Sequence, residues 1–337
     1  MATGRPPTSP GPSISVVICA YTQRRWDELV AAVASVRRQT PPAAQIIVSV
    51  DHNAALLERV SHDLPGVVVT ANRERRGLSG ARNSGVACAT GEVVAFLDDD
   101  AVAGPDWLAW LGAGYERPDV LGVGGAIEPL WATGRPRRFP EEFDWVVGCT
   151  YRGMPQAPAP VRNLIGANMS FRRDTLRLLG GFDGGIGRVG RRPLGCEETE
   201  LCIRACRRWP DGLFLYDPRA RIQHHVPADR TTWRYFHARC WSEGLSKALV
   251  AQLSGARLGL ASERAYATRV LPRAMARGVA DAIAHRDPAG LGRSAMILAG
   301  LTVTAAGYLV GTASRNGRYH RDAAASIGEH QAPEGAA

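Results

Sequence analysis

The 337-residue chain is 45% hydrophobic, 22% charged and 7% aromatic, which excludes collagen, a disordered chain and a disulfide-stapled miniprotein for its bulk. Forty-one Lys plus Arg against 32 Asp plus Glu leave a charge of +9. That balance suits an anionic membrane, a phosphorylated ligand or nucleic acid, although an arginine-rich composition explains it equally well. Seven cysteines without a Cys-x-x-Cys pair point to a reducing compartment and buried thiols. The length fits one large domain with an appendage, or two modest ones. Residues 1–12, rich in Pro and Gly, read as a disordered tail and not as a signal peptide, so a cytoplasmic location is expected.

Residues 13–20 (SISVVICA) and 45–50 (QIIVSV) are β-branched runs. The mixed segment 27–38 between them predicts a strand, a crossover helix and a second strand, with Thr40-Pro41-Pro42 closing the helix. Residues 67–70 (VVVT) and 92–97 (EVVAFL) supply two more strands around a helix at 79–89. Repeated units of this kind predict an α/β fold with a mostly parallel, doubly wound sheet, whose ligands sit beyond the carboxyl ends of the strands. Tyr21 and Thr22, Asp51 to Asn53, Arg73 to Asn83, and Asp98 to Asp100 follow those strands and are expected to converge. From 120 to 195 the pattern is less regular, and its long loops, 184–195 among them, read as lids or binding elements. Helices are expected at 174–179 and 197–209, and a strand over ARIQHHVP. Past residue 248 the chain turns Ala/Arg-rich and helical. Residues 294–310 (SAMILAGLTVTAAGYLV) are uncharged and slightly short of the roughly 20 residues that span a bilayer. They suit either a helix packed on protein or apposed to a membrane, or a true span.

Asp98-Asp99-Asp100 directly follows an apolar run. Adjacent carboxylates repel one another, and an extended Asp-x-Asp puts its first and third side chains on one face, where they can hold Mg²⁺ or Mn²⁺ carrying a diphosphate. The alternative is a solvated turn before Pro105. Asp51 either closes an ordinary turn or accepts a nucleobase N–H beside Tyr21. The segment from Arg73 to Asn83 offers cations and glycine turns to a nucleotide phosphate, or is a generic charged loop. It lacks Walker spacing, and no dinucleotide-binding glycine pattern accompanies the first strand. Glu197 and Glu198 head a helix, where a carboxylate can take a proton from an acceptor hydroxyl or simply answer the helix field. His224 and His225 are neighbours in a strand and face opposite ways, so at most one reaches a metal or diphosphate. Arg234, His237, Arg239 and Trp241 form an aromatic and basic strip suited to a phosphate, a lipid head group or helix packing.

In order, the pieces SISVVICAYTQRR, IIVSVDHN, RRGLSGARNSGVACATGEVVAFLDDDA, NLIGANMSFRRDTLRLLGGFD, CEETELCIRA, and ARIQHHVP with YFHARCWSEGLSKA resemble the inverting family-2 glycosyltransferases of the GT-A fold over about residues 13–250. The resemblance implies a nucleotide-binding half at 13–105 and an acceptor half at 106–250. A helical, possible membrane-associated extension at 251–316 and a disordered tail at 317–337 would follow. It implies a nucleotide-sugar donor, with UDP favoured, bound through Ala20, Tyr21, Asp51, Arg76, Arg82, Asn83, Asp98 and Asp99. Mg²⁺ or Mn²⁺ would sit on Asp100 with His225, and Asn168, Arg239 and Trp241 would face the acceptor or diphosphate. Glu198 would be the base and Glu197 its companion; the family usually reads Glu-Asp here, so the longer arm of Glu198 alters the acceptor geometry. The acceptor would be a glycan or a polyprenyl- or other lipid-linked glycan at the inner face of the plasma membrane, with peripheral or single-helix membrane association and no nucleic-acid partner. Two other classes are a nucleotidyltransferase making an activated sugar, which needs a glycine-rich signature where this chain has CAYTQRR, and a nonenzymatic sugar- or nucleic-acid-binding module, which would tolerate loss of Asp100.

Overall fold

The strand β1 (Ile14–Ala20) is buried at every position but Cys19, because it lies between two parallel neighbours, β2 (Gln45–Val50) and β4 (Val93–Asp98). A strand covered on both faces has no use for alternation, which is why these segments read as continuous apolar runs. The computed structural model describes residues 11–185, 195–254 and 264–313. The expected tails at 1–12 and 317–337 lie outside these, apart from Gly11 and Pro12, as does most of the expected lid at 184–195.

Helix α1 (Trp26–Arg37) crosses from β1 to β2 and buries Leu29, Ala32, Val33 and Val36, the spacing of one helical face. Helix α2 (Ala54–Asp63) is capped by Asn53, whose side chain accepts from Leu56 N at 3.0 Å. Strand β3 (Val68–Ala71) and helix α3 (Leu78–Cys88) complete the first half. Only Asp99 and Asp100 separate β4 from β5 (Ala101–Ala103).

Helix α4 (Trp107–Ala113), strands β6 (Val120–Trp131), β7 (Ala159–Val161) and β8 (Asn168–Arg172), and helices α5 (Arg173–Leu178) and α6 (Glu197–Arg208) follow. The long strand β9 (Leu213–Val226) and helices α7 (Trp233–Ser254), α8 (Leu271–Ala284) and α9 (Ala289–Ala313) end the described chain.

Among the described residues the sheet runs β3, β2, β1, β4, β8, β6, β9, β5, with β7 also paired to β9. The expected parallel winding describes β3 to β4. Beyond β4 the sheet is mixed, since β8 is antiparallel to both β4 and β6 while β6 and β9 are parallel. Two residues are too few for a parallel crossover, so β5 turns away and pairs antiparallel with β9. The connections leave β1 toward β2 on one side and β4 on the other, and this reversal places the crevice above β1 and β4.

Helix α7 runs through the expected domain boundary at residue 250 and lies alongside α9. Gly300 meets Phe143 and Phe236, Gly307 meets the carbonyl of Trp241, and Gly311 meets Ala248, so both helices run in the same direction. Small residues let their backbones approach closely. At the centre of the sheet, a Cβ added to Gly125 of β6 would run into Ala220 O and Asn168 Nδ2. Gly125→Val is therefore expected to lower stability by about 1–3 kcal/mol, read as a reduced urea midpoint with an unchanged slope.

Candidate active site

The carboxyl end of β4 carries Asp98, Asp99 and Asp100. Asp99 and Asp100 are only 4% and 5% exposed. Ligand atoms of Asp98, Asp100 and His224 all lie within 4.8 Å of one another, and His224 Nε2 is 3.1 Å from Asp100 Oδ1. Cations surround the cluster: Arg25 Nη1 is 2.8 Å from Asp99 Oδ1 and 3.2 Å from Asp100 Oδ2, and Arg230 Nη2 is 3.5 Å from Asp100 Oδ2. Burial opposes the charge of Asp100, yet His224, Arg25 and Arg230 hold its carboxyl well below the usual range. Burial instead pushes Asp99 up to about 7, against the pull of Arg25.

The histidine beside Asp98 and Asp100 is His224, where His225 was expected. Strand β9 turns Ala220, Ile222, His224 and Val226 inward, whereas His225 is half-buried with Nδ1 3.7 Å from Glu28 Oε1. The alternation of apolar residues at 220, 222 and 226 was the available signal. Arg25 and Arg230 carried no comparable mark. Asp99 Oδ2 and Asp100 Oδ1 are buried without a well-aligned hydrogen bond, and the carboxylates of Asp98 and Asp100 with the His224 imidazole form a donor set that fits Mn²⁺ or Mg²⁺.

Asp51 closes the neighbouring strand, beside Ala20, whose carbonyl accepts from Asp51 N at 2.8 Å. The Asp51 carboxylate accepts from Asn72 Nδ2 at 2.7 Å and Gly77 N at 3.1 Å, which shapes the loop before α3. Arg76 extends along this loop and donates to His52 O at 3.2 Å. Tyr21 is 55% exposed, with the Arg25 guanidinium 5.5 Å from its ring centre. Asn83 clamps the backbone of Phe182, donating to its carbonyl at 2.9 Å and accepting from its N–H at 2.8 Å.

Arg82, on α3, is only 2% exposed. Its Nη1 donates to Glu197 Oε1 at 2.8 Å and its Nη2 to Gly166 O at 3.2 Å, while Phe96 and Phe182 lie 5.9 and 5.3 Å from the guanidinium. Burial opposes the Arg82 charge, but Glu197, Asp98 and Glu198 raise its pKa. This pair ties α3 to the head of α6. Glu198 is half-buried beside it; burial and then the charge of Glu197 push its carboxyl up to about 8.

Asn168 is a correction. It is fully enclosed, with Oδ1 accepting from Trp107 Nε1 at 2.8 Å and Nδ2 donating to Ala126 O and Ala220 O, so it braces the sheet and cannot face an acceptor or diphosphate. Arg239 and Trp241 are half-buried on α7, and the Trp241 backbone lies against α9.

A family model described as Glycosyl transferase family 2 matches residues 15–180. The glucosyl-dolichyl phosphate glucuronosyltransferase of Haloferax volcanii is 38% identical over 69% of this chain and 76% of its own. Succinoglycan biosynthesis protein ExoM of Rhizobium meliloti is 25% identical over 75% of this chain and 84% of its own. The solved mannosyltransferase PcManGT from Pyrobaculum calidifontis, in complex with GDP-Man and Mn²⁺, shares the fold at a TM-score of 0.52 and 18% identity, over 97% of this chain and 82% of that one.

The Arg82–Glu197 pair makes a stability test. Arg82→Met alone leaves Glu197 buried without its cation and is expected to cost about 3–5 kcal/mol in urea unfolding. Adding Glu197→Gln is expected to recover a large part of that loss, which a double-mutant cycle measures.

Proposed function

Because the chain belongs to the family-2 glycosyltransferases, we propose that it moves a sugar from a nucleotide donor, with UDP favoured, onto a hydroxyl of a lipid-phosphate-linked glycan, with inversion and with the help of a divalent cation. The observation that carries this reading is the convergence of Asp98, Asp100 and His224 at the strand ends, where the sheet reverses direction. The dolichyl phosphate in the name of the Haloferax relative supports a lipid-linked acceptor. The Mn²⁺ bound by the mannosyltransferase supports the cation.

In this reading Tyr21 offers its exposed ring to the nucleobase. Asp51 acts by holding the loop from Asn72 to Gly77 in place and by the lone pairs its carboxylate retains. Asp98, Asp100 and His224 would hold Mn²⁺ or Mg²⁺, which when bound supplies positive charge to the departing diphosphate. Arg25 and Arg230 add fixed positive charge around the same carboxylates. Arg82 acts from the interior, positioning Glu197 and the start of α6, because its burial keeps it from a phosphate.

Glu198 takes the proton from the acceptor hydroxyl. That oxygen attacks the anomeric carbon on the face opposite the leaving diphosphate, and a single displacement inverts the configuration. A carboxylate with its pKa raised toward 8 is a stronger base than an ordinary glutamate once ionised. The exposed side of α9 would keep the enzyme at the cytoplasmic face of a membrane.

Asp100→Asn is expected to lower transfer at least about 100-fold and to weaken Mn²⁺ binding, read by calorimetry, while the circular dichroism spectrum stays unchanged. Full turnover by this variant would remove the carboxylate from the cation site. Glu198 works only after losing its proton, so kcat/KM is expected to rise with pH through a limb near 8. Glu198→Gln should abolish that limb and reduce kcat by about 10²–10⁴-fold with donor binding retained. A limb that persists in Glu198→Gln would move the base elsewhere. The anomeric configuration of the product, read by NMR, tests inversion.

A further inference from the structure

Helix α9 is long and apolar enough to cross a bilayer, and only 17% of its apolar window is buried. Its contacts nevertheless fix it to the rest of the chain along its length. Gly300 rests on Phe143 and Phe236, Gly307 on Trp241 O, and Gly311 on Ala248, while Thr304 O and Tyr308 N lie against Gly244. Helix α7, the partner along this seam, carries Glu243 and Lys247 paired at 3.0 Å and the buried Ser242 and Ser246. A crossing α9 would either lose this seam or draw those charges and hydroxyls into hydrocarbon.

The hairpin of α8 and α9 is pinned as well. Arg137 pairs with Asp287 at 3.0 Å, Arg277 with Glu142, Arg293 Nη1 donates to Arg137 O at 3.2 Å, and Tyr266 OH donates to Glu142 O at 2.6 Å. These contacts hold one side of the hairpin against the 137–152 segment.

The other side is apolar and open. On α9 the exposed positions include Leu291, Ala295, Leu298, Thr302, Ala305 and Leu309, a stripe recurring every three or four residues, with Val310, Thr312 and Ala313 exposed at its end. On α8 they include Ala276, Val279 and Ile283, with Ile283 76% and Leu309 65% exposed. Between Arg264 and Ala313 the chain has six arginines against two aspartates, and Arg269, Arg273 and Arg286 are exposed. Trp233, 53% exposed, stacks on Phe236 at the end of α7 that meets Gly300. Apolar stripes, basic residues and an edge tryptophan together fit an anionic lipid surface.

We propose that the α8–α9 hairpin is a monotopic docking face: it lies in the plane of an anionic bilayer surface, seats Leu298, Leu309 and Ile283 at the headgroup–acyl boundary, and does not cross. This deepens the membrane reading above and rests on it for the location of the acceptor alone.

The test uses the full chain and vesicles of phosphatidylcholine with or without about 30% phosphatidylglycerol, in the absence of donor and acceptor. The wild type is expected to co-sediment with the anionic vesicles, to bind neutral ones at least about tenfold more weakly, and to be released by alkaline carbonate. Leu298→Glu/Leu309→Glu is expected to lower partition at least about tenfold, and Leu178→Glu, on the exposed face of α5, to leave it unchanged. Equal sedimentation of the double variant overturns the face, and retention in carbonate overturns the monotopic arrangement. A wild-type dimer in lipid-free buffer that the double variant breaks, with vesicle binding unaltered, would give the face to a second copy. Vesicle partition is read without transfer chemistry, so its failure leaves the glycosyltransferase activity standing, and a loss of transfer leaves the partition result intact.

Discussion

Asp99 and Asp100 are adjacent and almost fully enclosed, and two such carboxylates stay in one place only when positive charge is brought to them from elsewhere in the chain. That charge comes from two distant segments, Arg25 in the turn after β1 and Arg230 in the turn after β9, and the His224 imidazole reaches Asp100 from the inward face of β9. Joining them requires β5 to leave β4 after two residues and to pair with β9, because this pairing sets Ala101 beside His224. The mixed half of the sheet is thus tied to the electrostatics of the site that it carries.

A second buried charge pair links the two halves of the domain. Arg82 on α3 and Glu197 on α6 are both enclosed, and the guanidinium also reaches Gly166 O. Removing either partner would strand a charge in a low-dielectric interior, so the pair sets where α6 begins. Glu198 inherits its position from that start and its raised pKa from the burial and the neighbouring charge. Helix α3 and the proposed base are coupled through packing, by way of the Arg82–Glu197 pair.

The carboxy-terminal helices extend the same logic to the surface. Glycines at 244, 300, 307 and 311 let α7 and α9 meet closely, and arginine–carboxylate pairs fasten the hairpin to the catalytic domain. With one side committed to protein, the apolar residues left outward need a different covering. The proposed bilayer surface would provide it, and would bring a lipid-linked acceptor, if that is the substrate as proposed, to the same surface.

Local chemistry made much of this legible. The runs of β1, β2 and β4 and the helices α1 and α3 follow from residue periodicity, and their boundaries fall within about one residue of the expected ones, whereas α2 was not expected. The carboxylates after β4 and the acidic pair heading α6 stand out for the same reason, since each is a departure from the pattern around it. Whether a polar side chain faces a crevice or braces the interior depends on what other segments bring to it, and neighbours in sequence do not report that. Hence Asn168 became a strut for β6 and β9, Arg82 a buried partner of Glu197, and His224 rather than His225 the companion of Asp100. The apolar run at 294–310 likewise left packing and crossing open. The seam with α7 shows which face of that run is packed, because hydropathy counts residues whereas burial depends on which face another helix already occupies.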